Sequence, residues 1–280
     1  MNEALEHDGL RAFAVFARHL NLTAAAAELH IAQPSLHTKL RKLGQALGQE
    51  LYEREGRGLR LTPAGQKLAR FATENTRRVQ DFVADLGGRP ASVTIAAGHG
   101  AFRWVIGPGV RRIVSSGRTL HVRTQNREGT LADVRAGRAD VGVFGSDPPP
   151  PGFASREIAR YPQVLMIVTD PVPESVTVAD LAGHSLLLPP PERPHRRRLD
   201  RALLDAGVSV SVAAEVDGWD LMTHFVSLGL GAAVVNGCVE PPPGVVAVPV
   251  RDLPEVPYWA VWRPERVDLA EEVVPGLAGG

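Results

Sequence analysis

Residues 21–43 read Asn21-Leu22-Thr23-Ala24-Ala25-Ala26-Ala27-Glu28-Leu29-His30-Ile31-Ala32-Gln33-Pro34-Ser35-Leu36-His37-Thr38-Lys39-Leu40-Arg41-Lys42-Leu43, two helical signals a few residues apart. Thr23 is a good N-cap for the alanine run. Alanines let a neighbouring helix approach closely, as a tight helix-turn-helix needs. Pro34 suits the first position of the next helix, where its missing N–H costs little. Leu36, Leu40, Leu43 and Leu47 mark that helix's buried face. Gln33, Ser35, His37, Thr38, Lys39, Arg41 and Lys42 fall largely outside the stripe, forming a polar, donor-rich surface.

Upstream, Leu10, Phe13, Ala14, Ala17 and Leu20 recur at helical spacing. Downstream, Leu51 to Arg54 and Leu59 to Leu61 flank Glu55-Gly56-Arg57-Gly58, which predicts a β-hairpin with a basic wing. Thr62-Pro63-Ala64-Gly65 opens a further helix whose apolar positions run from Leu68 through Phe71, Val79, Phe82 and Val83 to Leu86. Such a helix is about 35 Å long, and Gly87-Gly88-Arg89-Pro90 stops it.

Charge is unevenly spread. The formal net charge of the 280 residues is zero, yet Ile31 to Arg78 carries ten basic residues against four acidic, a net of +6 that includes every lysine. A basic block on a neutral chain points to a segment that binds a polyanion; a merely solvated face is the bland alternative. The 44% hydrophobic and 22% charged fractions suit a folded protein. Cys238 is the single cysteine, which excludes an intrachain disulfide. No apolar run reaches the roughly 20 residues that cross a bilayer. The acidic, polar start is unlike a secretory signal, so no membrane association and a cytoplasmic location are expected.

Beyond residue 90, apolar runs at 93–97, 120–123, 141–144, 164–168, 186–188, 232–235 and 259–262 read as strands. Helical stretches such as Leu199 to Ala206 and Trp219 to Leu228 separate several of them. That alternation predicts an α/β arrangement with largely parallel sheets. The breaks Pro148 to Pro151, Pro189 to Pro191 and Pro241 to Pro243 are loops.

Residues 10–65 closely resemble the DNA-binding end of LysR-type regulators. The likeness rests on the Leu10/Phe13 helix, Asn21 to Ala26, Gln33-Pro34-Ser35, Leu51-Tyr52-Glu53-Arg54 and Arg60 to Gly65. It continues more weakly through Leu131, Gly137, Asp140 and Val141, then Val178 to Gly183, then Val226 and Gly229-Leu230-Gly231. The chain departs from the family with Ala32 and His37 for serine, and Gly44 for an acidic residue. The resemblance implies an α plus α/β protein. A winged helix-turn-helix would occupy 1–61 and a linker and dimerisation helix 62–88. A two-lobed effector-binding domain like type 2 periplasmic binding proteins would occupy 91–280. Lobe 1 would span about 91–160 plus 264–280, and lobe 2 about 161–263.

The expected partners are double-stranded DNA, a small-molecule effector and further copies of the chain, as dimer and tetramer. Gln33, Ser35, His37 and Thr38 are the candidates for base edges. Lys39, Arg41, Lys42, Arg54 and Arg57 are better placed for phosphate. Thr23 and Pro34 complete the interface, Pro34 in a structural role. The resemblance places effector contacts after the first strand of each lobe, here Gly98, His99, Gly100, Phe102 and Arg103, then Pro190, His195 and Arg196, with Trp219. His99 and Gly100 stand where the family often has serine or threonine. Free N–H groups at helix starts favour anions, so a carboxylate effector is the first expectation. Gly98 and Gly100 are equally explained by a turn, Arg196 by a solvated charge run, and Trp219 by core packing. Cys238 reads as a small buried residue rather than a redox switch.

An enzyme built on the α/β portion is the main alternative. No P-loop, Gly-x-Ser-x-Gly elbow, His-Glu-x-x-His or metal-ligand cluster is present in the sequence, so neither catalysis, cofactor nor metal is expected. A pure solute-binding protein is opposed by the basic N-terminal segment and the acidic start.

Overall fold

The computed structural model describes residues 7–56, 58–87, 90–145 and 148–278. The chain divides after Ser92 into two compact units, with Arg135–Arg138 grouped with the first.

The first unit opens with α1 (His7–His19), α2 (Leu22–Glu28) and α3 (Gln33–Leu47). Phe13, Ala25, Ala26, Leu36, Leu40 and Leu43 are buried together as the apolar spacing predicts; Phe16, which that spacing does not include, joins them, whereas Leu20 is exposed. The N-cap of α2 differs from the expectation. Asn21, not Thr23, stands at the cap, and its Oδ1 accepts from the N–H groups of Thr23 and Ala24 at 2.9 and 3.1 Å. A side-chain carbonyl two residues earlier reaches both donors, leaving Thr23 within the first turn. Gly48 ends α3 in the left-handed region at φ 61°.

The hairpin follows as β1 (Tyr52–Glu55) and β2 (Gly58–Leu61), antiparallel, with Tyr52 opposite Leu61. Helix α4 (Pro63–Leu86) then begins under tight constraint. Thr62 Oγ1 caps the Gly65 N–H at 3.0 Å, and a Cβ on Gly65 would lie 1.8 Å from the Leu51 carbonyl oxygen. Only glycine fits there.

The second unit holds two lobes. The first contains β3 (Val93–Ala97), α5 (His99–Trp104), α6 (Gly107–Ser115), β4 (Leu120–Thr124), α7 (Arg127–Arg135), β5 (Val141–Gly145) and β6 (Ala154–Tyr161). The second contains β7 (Gln163–Ile167), β8 (Ser185–Leu188), α8 (Pro194–Asp205), β9 (Ser211–Glu215), α9 (Trp219–Ser227), β10 (Ala233–Asn236) and β11 (Val246–Pro249). The chain then returns to the first lobe through β12 (Val256–Trp262) and α10 (Val267–Leu277). Strand order in the first sheet is β4-β3-β5-β12-β6.

Two expectations are corrected here. The second lobe does not extend to residue 263, because β12 pairs with β5 and β6. The sheets are mixed rather than largely parallel. Strand β3 runs parallel to β4 and β5, and β8 parallel to β9, but β12 is antiparallel to both its neighbours, as is β7 to β10 and β11. A parallel pair needs a long crossover, usually a helix. No helix stands between β6 and β7 or between β10 and β12.

Two strand-to-strand links therefore join the lobes. Gln163, only 2% exposed, satisfies its amide by donating to the Pro254 carbonyl at 2.9 Å. Asn236 of β10 donates to the Tyr258 hydroxyl of β12 at 3.0 Å, a second buried tie across the junction. The Leu131, Gly137 and Asp140 segment is structural. Asp140 is 1% exposed, accepting from the Thr94 N–H at 2.8 Å and from Arg266 at 3.2 Å. It thereby anchors the start of the C-terminal helix to the first sheet.

Candidate functional site

Two surfaces gather the candidate residues. On α3, Leu36, Leu40 and Leu43 turn inward, which leaves Gln33, Pro34, Ser35, His37, Thr38, Arg41 and Lys42 exposed. Thr23 is exposed on α2, and its hydroxyl donates to Gln33 Oε1 at 3.2 Å, tying the two helices' polar ends together. The Thr38 hydroxyl donates to the Pro34 carbonyl at 2.9 Å. Ala32 caps α3 without a side-chain bond, so the departure from serine leaves the first turn's N–H groups without a side-chain partner from the cap. The Gly44 departure also has a local cause, since a Cβ there would lie 2.9 Å from the Gln49 carbonyl oxygen.

The cations differ in their commitments. Arg41, Lys42 and Arg54 are exposed and make no ion pair among the described residues. Lys39 is half-buried and its Nζ lies 2.7 Å from Asp8. On the wing, Arg60 lies 2.7 Å from Glu53 and 3.1 Å from Glu55. Arg57 lies outside the described residues.

The second surface lies between the lobes. Gly98 caps α5, and Gly100 lets indoles close over it, for a Cβ there would lie 3.3 Å from Trp104 and 3.6 Å from Trp219. These two rings stand 6.2 Å apart, and Trp104, carried by the first lobe, packs into the second lobe's core. His99 Nδ1 lies 3.1 Å from Asp220 Oδ2, and Arg103 Nε 3.0 Å from Asp220 Oδ1. The Arg103 guanidinium also sits 5.3 Å above the Trp104 ring.

His195 faces Trp219 edge-on at 6.1 Å, and its Nε2 bonds the Val234 carbonyl at 2.7 Å. Removal from water pushes the His195 pKa below its ordinary 6.5, with the charge of Arg198 pushing the same way, so the ring is held neutral with its proton on Nε2. Pro190 is half-buried, and its carbonyl accepts from the Arg193 N–H at 3.0 Å. Phe102 packs into the first lobe's core, and Arg196 is held by Asp200 at 2.8 Å and the Pro189 carbonyl at 2.9 Å. The structure thus gathers His99, Gly100, Arg103, His195 and Trp219, and directs Phe102 and Arg196 elsewhere. Sequence reading missed Asp220 and placed Trp104 in no site. Asp220 carries a signal only in hindsight, as an acidic residue in the first turn of α9.

Partial burial also raises the Cys238 thiol. Its pKa is pushed up to about 11, chiefly by desolvation, and its Sγ lies 3.8 Å from the Tyr258 hydroxyl. A thiol so raised is a poor nucleophile at neutral pH.

A family model described as "LysR substrate binding domain" matches residues 92–272, and one described as "Bacterial regulatory helix-turn-helix protein, lysR family" matches residues 7–66. The chain belongs to the LysR family. It is a DNA-binding transcriptional regulator with an effector-binding domain. Similar curated LysR relatives include the transcriptional regulator TfdS of Cupriavidus pinatubonensis, 29% identical over 84% of this chain and 83% of that protein. The regulator CbbR of Rhodospirillum rubrum is 26% identical over 81% of this chain and 78% of that protein. The fold matches a full-length OxyR variant from Pseudomonas aeruginosa, with TM-score 0.74 and 19% identity over 98% of this chain and 94% of that one. It also matches full-length CbnR in complex with its target DNA, with TM-score 0.63 and 21% identity over 97% and 100% of the two chains.

Proposed function

We propose that this LysR-family chain reads its operator with the exposed edge of α3, with Gln33, Ser35, His37 and Thr38 on bases and Lys39, Arg41, Lys42, Arg54 and Arg57 on phosphate. The observation that carries this reading is the exposed cations Arg41 and Lys42, which make no ion pair among the described residues, beside a polar helix start on a protein of zero net charge. A helix of these dimensions fits the major groove, where base pairs present distinct donor and acceptor patterns. The crystallised DNA complex of CbnR supports the same use of the headpiece.

One headpiece offers little area for specific affinity, so two copies reading two half-sites are required. Helix α4 supports such pairing. Phe71, Val79, Phe82, Val83 and Leu86 are all exposed, and at helical spacing they fall within about 120° of one another. Residues 1–61 act as the DNA-binding domain, 62–88 as the linker and dimerisation helix, and the rest as the effector-binding domain. The effector occupies the cleft between Gly98–Arg103 of one lobe and His195 and Trp219 of the other. The protein acts in the cytoplasm by binding and shape change rather than by catalysis.

Hydroxyl-radical footprinting on DNA upstream of the protein's own gene tests this reading. The expected result is protected patches separated by one helical turn, about 10.5 base pairs, or a multiple of it. A single unpaired patch, or none at saturating protein, overturns the paired headpiece.

A further inference from the structure

We propose that Asp220 occupies, from within the chain, the position that the effector's carboxylate takes, so that the effector binds by displacing it. The inference rests on the cleft reading above and names the residues that recognise the ligand's acid group. The two oxygens of one carboxylate are each met by a different nitrogen, Oδ2 by His99 Nδ1 at 3.1 Å and Oδ1 by Arg103 Nε at 3.0 Å. A free carboxylate is held in the same two-pronged way. His99 and Arg103 come from α5 of the first lobe, and Asp220 comes from the first turn of α9 in the second. The occupant therefore adds a tie between the lobes at the cleft, and its release removes that one tie.

Four observations make displacement feasible. The pair is open to water, with His99, Arg103 and Asp220 side chains 71%, 60% and 41% exposed, so solvent screens the attraction and little is lost on exchange. Arg103 is oriented by more than Asp220, since its guanidinium rests over Trp104. The neighbouring acid, Asp217, is already taken by Arg193, whose Nε donates to it at 3.0 Å, so Asp217 does not compete for Arg103. Gly100 keeps the floor beneath His99 and Arg103 free of a side chain while Trp104 and Trp219 close beside it. The ligand class is a small organic acid with one carboxylate aimed at His99 and Arg103.

The test is chemical rescue on the full-length protein without DNA. Acetate replaces chloride at constant ionic strength, with acetamide as the neutral control, and tryptophan emission is read in a Trp259→Phe, Trp262→Phe background so that Trp104 and Trp219 alone report. Asp220→Ala should respond saturably at an acetate concentration roughly tenfold or more below any wild-type response. Acetamide should do nothing, and adding Arg103→Ala should abolish the response. Equal responses of wild type and Asp220→Ala, an equal response to acetamide, or a response surviving Arg103→Ala each overturn the proposal. Should the alanine variant fail to fold, Asp220→Asn keeps the side chain's size and is judged by the same outcomes. Operator binding is measured in parallel. Failed rescue with intact operator affinity defeats only the displacement, whereas absent operator binding defeats only the DNA reading.

Discussion

The α3 edge and the cleft both present cations, but they hold them differently. On α3 and the wing, Arg41, Lys42 and Arg54 stand exposed without an ion pair among the described residues. In the cleft, His99 and Arg103 share Asp220, and Arg193 is held by Asp217. Free cations suit a partner that brings its own dense negative charge and releases counterions on binding. Paired cations suit a small ligand that must compete for its place, which turns binding into a rearrangement. On the proposed reading, the DNA surface is ready-made and the effector surface is held by an internal substitute.

The strongest way to break the contrast is to remove the scaffold under the free cations. Leu40 is 1% exposed beneath the α3 surface, and Leu40→Ala should cost about 2–5 kcal/mol in denaturant unfolding, with operator affinity falling alongside. A loss below about 1 kcal/mol would mean that α3 is not held by that core. Next, Arg41→Ala with Lys42→Ala should flatten the slope of log affinity against log salt by about 2 units. Arg60→Ala, which removes a cation already shared by Glu53 and Glu55, should change it by less than about 0.5 unit. Equal effects would erase the distinction between free and paired groups. Lys39 lies between the two cases. Lys39→Ala should flatten the slope by about 1 unit. Asp8→Asn, which frees Lys39 from its 2.7 Å partner, should tighten binding to any duplex about twofold.

The smallest effect is in the second lobe. His195 has its pKa lowered in the folded state, so the unfolded chain takes up the proton first as pH falls. The stability this contributes is present above the ordinary 6.5 and is lost as pH drops through and below it. Urea unfolding at about pH 7.5 and 5.5 should show that loss in wild type and a smaller one in His195→Gln. An identical loss in the variant would place the titration elsewhere.

Much of the headpiece was legible because its signals are local. Leucine spacing set the buried face of α3, and glycines set the wing. The capping of α2 was misplaced by two residues, since Asn21 and Thr23 both carry capping oxygens and only backbone geometry chooses between them. In the second unit, β6, β9 and β11 escaped notice. Strand β6 lies at a sheet edge and alternates charged residues, β9 is mostly exposed, and β11 is four residues long beside a proline loop. Neither β6 nor β9 shows the apolar run that signals a buried strand, whereas β11 carries one, Val245 to Val248, that went unread after the proline loop. Cleft residues on α5 were within reach of sequence reasoning because a strand–glycine–helix junction marks them. Asp220 was not, because its role arises when a lobe over a hundred residues later in the chain folds against α5, and no local pattern encodes that meeting.

The most direct test of the central claim is a fluorescence-anisotropy titration of the full-length protein onto its own upstream DNA and onto a scrambled duplex, at two salt concentrations. The account predicts binding to the native fragment tighter by roughly a thousandfold or more, weakening as salt rises. Folded protein that binds neither duplex at either salt would contradict it.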